Sequence, residues 1–214
     1  MKKTLIVCLL SNKGGSGKTT ISTAIAGELH RRKLSGLLID LDPQGSASRW
    51  HQQRDDDEPG VIPAQAHQLP GIVERANEAA ADFLIIDTPP HSDSASLAAA
   101  RVADVILAPA RPGLADVAAL EFTKDLIAIA KKLDSAYVVI NAAPHAAAAA
   151  EAKQAILATY HLNICPIPLA QRIAYSHAFT AGLSPSEYDP SSKAGAEIKR
   201  LAAWLLKTSK HPNK

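Results

Sequence analysis

The stretch Ser11-Asn12-Lys13-Gly14-Gly15-Ser16-Gly17-Lys18-Thr19-Thr20 lies between an apolar run at 5–10 and a helix-forming segment at 21–32. Strand, glycine-rich loop and helix in that order is the setting of a phosphate-binding loop. Gly14, Gly15 and Gly17 allow the tight turn that lets backbone N–H groups and the start of the helix, through Ser16 and Thr20, converge on phosphate oxygens. Lys18 adds a cation for the β- and γ-phosphates, and the Thr19 hydroxyl suits Mg²⁺. A strict version of the loop has glycine at position 12. Asn12 makes this a variant form, and a second lysine, Lys13, precedes the glycines.

Working outward, apolar runs at 5–10, 36–41, 83–87, 105–109, 137–141 and 163–166 read as buried parallel strands. Segments of helical period at 18–32, 45–54, 70–80, 94–101, 115–132, 148–160, 170–181 and 193–208 separate them. That alternation predicts an α/β fold, a mostly parallel sheet with helices on both faces. At 214 residues the chain fits one domain. Its ligands belong at the carboxyl ends of the strands. The run Asp55-Asp56-Asp57-Glu58-Pro59-Gly60 reads as a solvated surface turn rather than a catalytic carboxylate pair. The formal charge of +2 leaves nucleic-acid binding to a local patch. Cys8 and Cys165 stand far apart in apolar stretches, which predicts buried thiols and no metal or redox pair, in a reducing compartment. The apolar start is too short for a signal peptide or a membrane span.

Three further clusters fall at strand ends. In Asp40-Leu41-Asp42-Pro43-Gln44 alternation puts both carboxylates on one side of the chain. Asp40 can then approach the metal shell while Asp42 positions the attacking water; the competing role for Asp42 is to cap the next helix. Leu84-Ile85-Ile86-Asp87-Thr88-Pro89-Pro90 is an apolar strand ending in the carboxylate that meets Mg²⁺, with a loop behind it suited to sensing the γ-phosphate. Asn141, with Pro166 and Pro168, offers an amide for an adenine edge and a rigid wall for its ring, or else an ordinary strand end and turn.

Lys13 to Thr19, Asp40 to Gln44 and Asp87 to Pro90, in that order, resemble the ParA family of partition ATPases within the wider group that includes MinD. The likeness runs on through Pro109 to Asp116, Gln171 to Tyr175 and Asp189 to Lys193, so it covers essentially the whole chain. Compact plasmid members such as ParF and positioning ATPases for carboxysomes or chemoreceptor clusters are nearest in form. The resemblance implies ATP and Mg²⁺ as cofactors. It also implies an ATP-sandwich homodimer in which Lys13 reaches the partner's phosphates, non-specific DNA binding by that dimer, and a ParB-like or other adaptor that stimulates slow hydrolysis to move a cargo over the nucleoid in the cytoplasm. The short chain leaves no room for the N-terminal helix-turn-helix extension of longer members, so operator binding is not expected.

Non-specific DNA binding needs clustered cations, for which Arg172, Lys193, Lys199, Arg200, Lys207, Lys210 and Lys214 are the candidates. The same C-terminal segment supports a MinD-like alternative. Residues 197–207 form an amphipathic helix with Ile198, Leu201, Ala202 and Leu205 on one face, which either lies on a membrane or packs on the domain. The Asp-Pro-Gln sequence after Leu41 is closer to ParA, and a membrane partner is not expected. Two other classes share the loop. An iron-protein type reductase needs paired cysteines that Cys8 and Cys165 do not supply, and a dethiobiotin-synthetase type ligase needs a small co-substrate.

Overall fold

A computed structural model describes residues 3–209; Lys210 and Lys214, among the candidate DNA contacts, lie outside the described residues. In chain order the elements are β1 (Leu5–Leu9), α1 (Lys18–Arg31), β2 (Gly36–Asp40), α2 (Ser46–His51), β3 (Gly60–Pro63), α3 (Leu69–Glu78), β4 (Phe83–Asp87), α4 (Asp93–Val102), β5 (Val105–Ala110), α5 (Leu114–Ala118), α6 (Leu120–Ile129), β6 (Ala136–Ile140), α7 (Ala146–Tyr160), β7 (Asn163–Ile164), α8 (Ile173–Thr180), α9 (Pro185–Tyr188) and α10 (Lys193–Thr208). The strands form one sheet in the order β3-β2-β4-β1-β5-β6-β7. Every pairing is parallel.

The expected strands all form. Both faces of the central ones are buried because successive side chains point to opposite sides. Leu5, Val7 and Leu9 of β1 pack with Ile21, Ile25 and Leu29 of α1 and with Ile198, Leu201 and Leu205 of α10. Ile6 and Cys8 join Ile72 of α3, Ala99 and Ala100 of α4, and Leu126 and Ile127 of α6 on the other face. The apolar stripe of α10 is therefore interior, and Trp204 beside it meets Tyr137 edge-on with ring centroids 4.9 Å apart. Of the two readings of that helix, packing on the domain is the one observed.

One local expectation is corrected and two elements are added. Residues 60–63 form the edge strand β3, although no apolar run announces it; Ile62 and Pro63 face solvent. The helix expected at 115–132 is two helices, α5 and α6, meeting at Ala119. Residues 185–188 add the short helix α9, closed by a capping box between Ser184 and Glu187. The acidic run at 55–58 is exposed as expected, but it is organised. Asp56 lies 3.3 Å from His30, and Glu58 accepts the Gly60 N–H. Both thiols are buried, and burial raises their pKa values, that of Cys165 to about 12.

A candidate nucleotide site at the strand ends

Parallel pairing aligns the carboxyl ends of β1, β2 and β4 in register, Leu9 against Asp87 and Asp40 against Asp87. The chain must leave β1 and enter α1 within the loop, and Gly15 (φ 72°) and Gly17 (φ 100°) supply the left-handed turns. Gly17 has a second constraint. A Cβ there would lie 2.1 Å from the Asn141 amide nitrogen, which donates to the Ser16 carbonyl at 2.7 Å. Asn141 thus spends its amide on the loop backbone rather than presenting it outward. The segment with Pro166 and Pro168 runs beside it, since Leu169 donates to the Ile140 carbonyl and Ala143 to that of Leu169; both prolines are exposed.

Lys18, the first residue of α1, folds back over the loop. Its Nζ donates to the Ser11 carbonyl at 3.0 Å and to that of Lys13 at 3.4 Å. Burial lowers its pKa, against the attraction of Asp87 and Asp42. Thr19 donates its hydroxyl to Asp87 Oδ2 at 2.6 Å. Asp87 is fully buried, and desolvation raises its pKa to about 7, with the Thr19 hydrogen bond opposing. Its Oδ1 and the Ser16 hydroxyl have no hydrogen-bond partner among the described residues. An orphaned buried carboxylate oxygen beside a threonine hydroxyl and a lysine is a donor set that fits a hard divalent cation and the phosphates it bridges.

The two aspartates after β2 part company. Asp40 is buried, and its oxygens are taken by the Ser48 N–H and hydroxyl, both at 3.0 Å, and by the Asp42 N–H at 3.1 Å. Asp40 thereby anchors the turn and the start of α2, while its charge still acts on Asp87. Asp42 is half-buried and accepts from the Gln44 N–H, so it shapes the turn before α2, whose N-cap is Gly45. The loop behind Asp87 is tied to β1 and to the phosphate loop, since Thr88 donates to the Leu9 carbonyl and His91 N–H to that of Asn12. Asn12 N–H in turn lies 3.4 Å from the Thr123 hydroxyl on α6.

Lys13 stands on the shoulder of the loop, about a third exposed, with Nζ 2.8 Å from Asp116 of α5. Sequence reading passed over that partner because no local pattern marks it; Asp116 appeared only within a longer family-like stretch. The cations assigned to DNA divide. Arg172 pairs with Glu197 at 2.8 Å, and Lys199 donates to the Pro190 carbonyl. Lys193, Arg200 and Lys207 recur at seven-residue steps along α10 and are exposed, so they share one stripe.

With this geometry in view, the comparisons give a family. The model of the CobQ/CobB/MinD/ParA nucleotide-binding domain matches residues 7–184. The chain belongs to that family. Within the CobQ/CobB/MinD/ParA group, a curated relative from Halothiobacillus neapolitanus, "Maintenance of carboxysome distribution protein A", is 27% identical over 201 residues, covering 91% of this chain and 93% of its own. Two solved structures share the fold. An ATP complex of a Cyanothece McdA variant superimposes with a TM-score of 0.72 at 20% identity, covering 95% of this chain and 98% of that one. The Aquifex aeolicus MinC:MinD complex gives 0.79 at 19%, covering 95% and 96%.

Proposed function

We propose that this chain is an ATP-hydrolysing positioning switch: it dimerises around ATP and Mg²⁺, binds DNA without sequence preference in that state, and releases it after hydrolysis under the influence of an adaptor protein. The observation that carries the reading is the cluster of buried Lys18 and Asp87 with half-buried Thr19, one carboxylate oxygen being left unpartnered among the described residues, in a family of nucleotide-binding domains. Names of similar proteins support it: one for carboxysome distribution, one a complex with ATP.

In this reading Gly14 to Thr20 wrap the phosphates with backbone N–H groups, Lys18 neutralises the terminal ones, and Thr19 and Asp87 hold Mg²⁺. Bound ATP with Mg²⁺ supplies the phosphoanhydride, and the metal offsets the charge that develops on its oxygens. Asp42 orients the water, Asp40 holds the turn that carries Asp42, and Asn141 fixes the loop from below. Lys13 leaves Asp116 to reach the second subunit, a cation supplied in trans in the manner of an arginine finger. Lys193, Arg200 and Lys207 meet phosphates of DNA, and the protein gathers on the nucleoid. A MinD-like membrane role is the weaker alternative, because the apolar face of α10 is spent on the core.

The test is binding to random-sequence duplex DNA at low salt in ATP–Mg²⁺ against ADP–Mg²⁺, with anionic liposomes as the control surface and phosphate release measured in parallel. DNA binding confined to the ATP state, with slow phosphate release, is the expected result. Liposome binding with DNA ignored overturns it in favour of the membrane reading, and no phosphate release removes the enzyme.

A further inference from the structure

At the other end of β2, the start of that strand, the edge strand β3 and the last turns of α3 enclose a groove of about 760 Å³. Its walls are mainly apolar, with Leu37, Ile62, Ile72 and Ala76 among them. Ile62 is 38% exposed on β3, the edge of the sheet among the described residues. The groove is separate from the nucleotide site. Gly36 and Leu37, the groove's β2 wall, stand three to four residues, about 10 to 13 Å, from Asp40; its β3 wall runs up to Pro63, the partner of Asp40, but β3 lies two strands away from β4 and its Asp87.

The rim is cationic on balance, with the two lining cations Lys33 and Arg75 against the one lining carboxylate Glu58. Lys33 and Arg75 line it and are exposed, and neither side chain has an ion-pair or hydrogen-bond partner among the described residues. His30, also on the rim, lies against Asp56, and the lining carboxylate of Glu58 accepts from Gly60. Lys33 sits at φ 65° in a turn closed by its N–H to the His30 carbonyl, so its backbone is fixed over the opening. A trough of this volume with apolar walls and few polar groups has the character of a small-molecule site. Two unpaired cations at its mouth select the sign of what enters, and a guanidinium offers a paired donor set to a carboxylate or phosphate.

We propose that this groove binds a small amphipathic organic anion, its apolar body against Leu37, Ile62 and Ile72 and its anionic head between Lys33 and Arg75. Inorganic phosphate lacks the apolar part and an alkyl ammonium has the wrong charge, so neither competes.

The probe is 8-anilinonaphthalene-1-sulfonate fluorescence on the whole chain, with decanoate, decyltrimethylammonium and inorganic phosphate as competitors. A saturable single site, displaced by decanoate and untouched by the other two or by ATP–Mg²⁺, is expected. The Lys33→Glu/Arg75→Glu variant should weaken it at least tenfold, Arg75→Lys should restore most of that loss in the Lys33 background, and Ala79→Trp, which fills the trough from an exposed position, should remove it. All three changes are at the surface, and circular dichroism checks that the fold is kept. Equal displacement by the alkyl ammonium, displacement by ATP–Mg²⁺, binding indifferent to both the charge and the filling variants, or no saturable site overturns the proposal.

Discussion

Replacing Asp87 with asparagine separates the cost of its buried charge from its use. In the nucleotide-free protein burial raises the Asp87 pKa from 3.8 to about 7. Below about pH 4 the carboxyl is protonated folded or unfolded and contributes no pH dependence. Between about 4 and 7 the unfolded chain releases the proton while the folded one keeps it, so stability falls as pH rises, and the full cost stands above 7. At about 1.4 kcal/mol per pH unit, the interval from pH 5 to pH 8 costs the folded state on the order of 3 kcal/mol. For a chain of this size that is roughly 6 to 12 °C in melting temperature. Asp87→Asn keeps an acceptor for the Thr19 hydroxyl and has nothing to ionise, so it should melt with a much flatter response over the same interval. Urea or thermal unfolding of both proteins at pH 5 and pH 8, without nucleotide or Mg²⁺, measures the difference and cancels the histidines they share. Adding ATP and Mg²⁺ should then stabilise the wild type and leave the variant unmoved. Parallel pH responses in the two proteins would refute the assignment of the penalty to Asp87.

Three other perturbations follow from the geometry. Asp116→Asn releases Lys13 from a partly exposed ion pair of the class worth under about 1 kcal/mol, and two such pairs open per dimer, so light scattering should find ATP-dependent self-association at protein concentrations up to about 30-fold lower; an unchanged midpoint rejects the restraint. Gly17→Ala forces a left-handed alanine against the Asn141 amide and should cost about 2 to 4 kcal/mol in urea unfolding together with measurable nucleotide affinity. Wild-type behaviour on both counts argues that the loop has another conformation. Lys193→Ala, Arg200→Ala and Lys207→Ala should each lower the slope of log affinity against log salt for duplex DNA by about 1, while Lys199→Ala, whose ammonium is turned to the Pro190 carbonyl, changes it less. Equal slopes throughout would move the DNA surface elsewhere.

The strands buried on both faces were plain in the sequence, because Leu-Ile-Val-Cys-Leu and Phe-Leu-Ile-Ile have no polar side to interrupt them. Gly-Val-Ile-Pro was not, since an edge strand needs only one covered side, and Pro59 before it and Pro63 at its end read as breakers. The glycine-rich loop between β1 and α1 and the place of Asp87 at the end of β4 were legible as local patterns in a strand-and-helix context. The division of labour between Asp40 and Asp42 was not: alternation gives direction, whereas the Ser48 hydroxyl that claims Asp40 arrives from the next helix. The pairs Lys13 with Asp116 and Asn141 with Ser16 join segments more than a hundred residues apart, and nothing local in either segment announces the other.

The place of β1 in the middle of the sheet bears on how the chain leaves the ribosome. Its five buried residues are made first, yet their neighbours are Phe83 to Asp87 on one side and Val105 to Leu107 on the other. At the usual elongation rate of about 5 to 20 residues per second, roughly 4 to 16 seconds pass between the synthesis of Leu5 and that of its partner Phe83. For that time the apolar run Leu5–Leu9 has neither of the strands it pairs with in the finished sheet.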